Sequence, residues 1–116
     1  MRTLFLVCLF VAAAPVKALT WLELHQEIQS VEQGNPANTA IIQRMSDITT
    51  ALFTYHRTAV NAELATLFCP PSGGSMGLDE IVSIVRQQAA EADVQDDYLV
   101  ESLLLSGLQQ RFPCSR

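Results

Sequence analysis

Between residues 20 and 112 the apolar side chains recur at steps of three and four, with no stretch of strict alternation. That rhythm predicts helices throughout. Thr20-Trp21-Leu22-Glu23 has the spacing of a capping box, in which Thr20 accepts from the amide of Glu23 and Glu23 reaches back. The first predicted helix covers residues 21–33, with Leu24, Ile28 and Val31 on one side. Gly34-Asn35-Pro36 should end it, by a left-handed cap and then a residue that cannot continue. From residue 38 the positions Ile41, Met45, Ile48, Leu52, Tyr55 and Ala59 mark a long central helix. A second stripe of Ile42, Phe53, Val60, Leu64 and Leu67 widens its apolar face, and Pro70-Pro71 is expected to stop it.

A third helix is expected from about residue 76 to about 92, capped by Ser75 and buried along Leu78, Ile81, Val82, Val85 and Ala89. The last follows Asp93-Val94-Gln95-Asp96-Asp97, with Asp96 or Asp97 as its cap, and runs through Leu99, Leu103, Leu104 and Leu108 to Phe112 before Pro113. The predicted class is all-α, a small bundle of about four helices in one domain.

Ahead of these lies a different pattern. Arg2 is followed by an uncharged run from Leu4 to Ala14, then Pro15 and Val16-Lys17-Ala18, with small residues where a signal peptidase requires them. Residues 1–18 read as a cleaved export signal, leaving a domain of residues 19–116. The apolar run falls well short of the roughly 20 residues that span a bilayer. Cys8 leaves with the signal, so Cys69 and Cys114 remain in an oxidising compartment and are expected to pair. Closing a loop of that length contributes about 4 kcal/mol by the chain-entropy argument.

Removing Arg2 and Lys17 leaves five basic against twelve acidic residues, a formal net charge of −7. Nucleic acid and anionic lipid are poor partners for such a surface. It suits a basic protein partner, and serves solubility equally well.

Candidate chemistry is sparse. Cys69 with His25 or His56 could suggest a thiol nucleophile and its base, but a sulfur held in a disulfide cannot attack, and no enzyme is expected. The two histidines have no further donors at zinc spacing. Glu91, Asp93, Asp96 and Asp97 are crowded, yet lack the glycine and terminal glutamate of a calcium loop. Gly73-Gly74 has no following lysine for a phosphate loop. Neither metal nor cofactor is expected.

Phe68-Cys69-Pro70-Pro71-Ser72-Gly73, the helix from Met76 to Ala89, and the closing Phe112-Pro113-Cys114 together carry a resemblance over about half of the chain. In this combination, behind an export signal, the chain resembles the Rap/Tai family, periplasmic resistance-associated or type VI amidase immunity proteins. It departs from many relatives in having Tyr55-His56-Arg57-Thr58-Ala59 where they carry a glycine. The resemblance implies an all-helical, periplasmic homodimer. Its partner would be a peptidoglycan amidase, whose cleft it occludes without catalytic residues of its own.

For the inserted loop, Asp93, Gln95, Asp96 and Asp97 are the first choice and Ser72, Gly73, Gly74 and Ser75 the alternative. The plainer reading makes both segments helix connections only. A competing function is that of an acid-stress chaperone of the HdeA-like kind, which is also small, helical, exported and stapled by one disulfide.

Overall fold

At the start of the first helix the Thr20 hydroxyl accepts from the amide of Glu23 at 3.3 Å, as the capping-box spacing predicted. Glu23 does more than reach back. One carboxylate oxygen takes the Thr20 hydroxyl at 3.4 Å, and the other accepts from Arg44 at 3.0 Å. In the computed structural model, residues 18–71 and 76–115 are described, and they form four helices. These are α1 (Trp21–Glu32), α2 (Thr39–Asn61), α3 (Leu78–Ala92) and α4 (Val100–Arg111). No strand occurs among the described residues, so the class is all-α. The predicted signal lies outside them except for Ala18, as do Ser72 to Ser75.

Gly34 closes α1 in the left-handed region at φ 90°, with the amides of Gly34 and Asn35 donating to the carbonyls of Val31 and Ser30. This is a Schellman cap, and it satisfies carbonyls the helix would otherwise leave open. Asn38 then caps α2, its side chain accepting from the Ala40 amide at 3.0 Å, while its own amide donates to Glu27 of α1 at 2.6 Å.

The central helix corrects the sequence reading. It ends at Asn61, well before Pro70, and the row through Leu64 and Leu67 is not helical. A second Schellman cap reverses the chain there: Glu63 adopts φ 56°, its amide donates to Val60, and the Leu64 amide donates to Ala59. The chain doubles back along α2. Phe68, fully buried, packs edge-on against Phe53 and stacks on His56, about two turns before the helix ends. The wider apolar face was expected to be covered on two sides, yet Ile42, Val60, Leu64 and Leu67 are exposed.

Cys69 and Cys114 are bonded, as expected. The link ties this returning segment, rather than the end of the long helix, to the residues after α4. The Cys69 amide donates to the carbonyl of Phe112 at 2.8 Å, and the Thr66 hydroxyl lies 3.3 Å from both sulfurs.

α3 and α4 form the closest helix pair. Ile81, Ile84, Val85 and Ala89 meet Leu103, Leu104 and Leu108 in the core. Buried Gly107 permits the approach, since a Cβ there would overlap the side chain of Ile84. Leu19, Leu24, Met45, Phe68 and Val100 complete the cluster. Among the described residues, ion pairs cross between helices from Arg44 to Glu23 at 3.0 Å, Arg86 to Glu32 at 3.4 Å and Arg111 to Glu80 at 3.4 Å. Partly exposed pairs of this kind contribute up to about 1 kcal/mol each.

Candidate functional site

The acidic connection between α3 and α4 is built differently from the sequence expectation. Neither Asp96 nor Asp97 caps α4, whose N-cap is Leu99 and receives no side-chain bond. The N-cap of α3 is Gly77, and Ser75, the expected cap, lies outside the described residues. Asp93 turns the chain at φ 49° and Val94 packs against the core, while a turn closes with the Tyr98 amide donating to Gln95 at 3.1 Å.

The backbone of this loop caps α1. The Trp21 amide donates to the carbonyl of Tyr98 at 2.8 Å, and the Leu22 amide to the carbonyl of Asp96 at 3.0 Å. With Thr20 serving Glu23, the first three amides of α1, which have no partner inside the helix, are all satisfied. Beside them Thr20 and Leu99 form an antiparallel bridge, and the Val100 amide donates to the carbonyl of Leu19 at 3.0 Å. The loop is pinned along its length by Val94, Asp96 and Tyr98.

Apart from Val94, its side chains are exposed. Asp93, Gln95, Asp96, Asp97 and Tyr98 are exposed, with exposed Leu22 and Leu99 beside them. The four loop residues singled out in the sequence are therefore all exposed, beside apolar groups whose exposure the helical rhythm did not reveal. Leu99 read as core because it keeps step with Leu103, but it lies before the helix, in the bridge. The alternative loop, Ser72, Gly73, Gly74 and Ser75, lies outside the described residues.

A concave surface lies between α1, α2 and α3. It is a groove of about 770 Å³ whose floor includes Leu24, Ile28 and Met45. Cys69, the one residue that invited a catalytic reading, has its sulfur in the disulfide and offers no thiolate. Among the described residues no group of three or more histidine, cysteine, aspartate or glutamate side chains could hold a metal ion, and no helix is long and apolar enough to cross a membrane.

No protein-family profile, curated protein or solved structure matches this chain.

Proposed function

We propose that the mature domain is a periplasmic immunity protein that binds a peptidoglycan amidase and occludes its cleft through the loop at residues 93–98. One observation carries this reading: the loop is held by its backbone while every side chain from Gln95 to Tyr98 faces solvent. A loop fixed before binding loses little conformational entropy when it docks, so its contacts are expressed as affinity. Carboxylates at its tip can accept hydrogen bonds from donors around a catalytic cysteine and histidine. Exposed Leu22, Tyr98 and Leu99 supply apolar area beside them. The paired cysteines within Phe68-Cys69-Pro70-Pro71 and Phe112-Pro113-Cys114 support the Rap/Tai resemblance and suit an oxidising compartment.

Calorimetric titration of the mature protein into a type VI amidase encoded beside its gene tests the partnership. Saturable binding that fails with Asp96→Lys/Asp97→Lys supports the proposal, and absence of binding rejects that partner.

The apolar residues Val60, Leu64 and Leu67, exposed at the end of α2 and beyond it, favour a second reading as an acid-stress chaperone. Suppression of client aggregation at acid pH, without amidase binding, would select it. The expected twofold dimer would also cover this row, and sedimentation at micromolar concentration distinguishes dimer from monomer.

A further inference from the structure

Three exposed apolar residues converge on the groove from three different helices. Val31 of α1 is 44% exposed, Ile42 of α2 37% and Leu78 of α3 41%. Each keeps its helix's apolar rhythm, yet none is covered. They stand around a floor that includes Leu24, Ile28, Ile41, Met45 and Val82.

Length and shape select the occupant. The lining on α1 runs from Leu24 to Glu32 and that on α3 from Leu78 to Gln87, which at about 1.5 Å per residue is a trough of roughly 13 Å. Anchors at positions i, i+4 and i+7 of a helix span about 10.5 Å and fit this length. A small ligand would bury most of its own surface in an enclosed pocket, whereas this trough leaves its walls open.

Charge selects the partner. The ionisable groups at the edge are Glu27, Glu32, Asp79 and Arg86, and Arg86 is already paired with Glu32. Glu27 has one oxygen on the Asn38 amide and the other unassigned. Among the described residues, Glu27 on the α1 wall and Asp79 on the α3 wall thus have no cation paired with them. A second copy laid groove to groove would bring these acidic edges together between two domains that each carry a formal net charge of −7 after signal removal, and like charges in an interface are costly.

We infer that the groove between α1, α2 and α3 seats a cationic amphipathic helix of a partner protein. The apolar face of that helix lies on Val31, Ile42 and Leu78, and its Lys or Arg residues lie beside Glu27 and Asp79. This site is separate from the loop at residues 93–98, and its test uses no amidase.

The probe is a synthetic 14-residue helix of leucine and lysine, with leucine at i, i+4, i+7 and i+11. Its counterpart has glutamate in place of every lysine. Both are titrated into the mature, disulfide-bonded protein at low salt, with methyl resonances followed by NMR. The lysine peptide is expected to bind at least tenfold more tightly than the glutamate peptide and to shift the methyls of Val31, Ile42 and Leu78. Val31→Ser/Ile42→Ser/Leu78→Ser should weaken it at least tenfold, and should the triple variant fail to fold, Val31→Ser alone should weaken it about threefold. Asp79→Asn should reduce the preference for lysine, and Asp96→Asn/Asp97→Asn should leave binding unchanged. Equal affinity for the two peptides, shifts centred elsewhere, or no binding overturns the inference. So does concentration-dependent broadening of these three methyls without peptide, which would place a second copy in the groove.

Discussion

The amide of Leu22, in the first turn of α1, donates to the carbonyl of Asp96 in the loop between α3 and α4, at 3.0 Å. With the parallel bond from Trp21 to Tyr98, it makes the first helix and the acidic loop a single unit. The amides at a helix start ordinarily face water and exchange quickly.

Here the Trp21 and Leu22 amides should exchange with solvent deuterium as slowly as amides within α1. Hydrogen exchange read by NMR at those two positions checks this. Exchange at the rate of an open helix end would show the loop undocked, and with it the preorganisation on which the proposed binding depends.

The disulfide joins a segment that has no helix of its own to the end of α4. Cys69→Ser or Cys114→Ser should lower stability by about 2 to 5 kcal/mol. Denaturant unfolding of each variant measures the loss. Burial of Phe68 depends on the same segment, so Phe68→Ala should cost about 3 to 5 kcal/mol even with the disulfide intact.

Gly107 sits where α4 crosses Ile84 of α3, and an added Cβ would overlap Cγ2 of that buried, β-branched side chain. Gly107→Ala gains helix propensity yet should destabilise by about 1 to 3 kcal/mol through overpacking. A stabilised variant by thermal unfolding would show that the two helices are less closely packed than described.

Much of the fold was legible because local chemistry and helical rhythm agreed. Thr20, Gly34 and Asn38 stand where their side chains or their freedom at positive φ are needed, and α1 begins and ends, and α2 begins, beside them. The end of α2 was hidden because Glu63 carries no stop signal and the apolar steps persist through Leu64 and Leu67. A tertiary contact decided it instead: Phe68 gains a buried place against Phe53 and His56 only if the chain turns back. The loop's residues were legible as a polar cluster, but their structural role was not, since it runs through the carbonyls of Asp96 and Tyr98, which any side chain would supply.

That reversal has its own test. Glu63 holds a left-handed conformation that disfavours residues with a Cβ, so Glu63→Gly should stabilise by about 1 kcal/mol. Denaturant midpoints of the two proteins decide it. A loss of similar size would show that the glutamate makes a contact outweighing the strain.

The central claim is that the protein blocks an amidase through the side chains at the tip of a rigid loop. Peptidoglycan hydrolysis by any small amidase found to be encoded beside its gene, with mature protein in stoichiometric excess, tests it most directly. The account predicts full inhibition by the native protein and a loss of inhibition of at least tenfold in potency with Asp96→Lys/Asp97→Lys, whose helical content should be unchanged because the loop is held by its carbonyls. Complete hydrolysis in the presence of excess native protein would contradict immunity to that enzyme, and undiminished inhibition by the charge-reversed variant would contradict the loop as the occluding element.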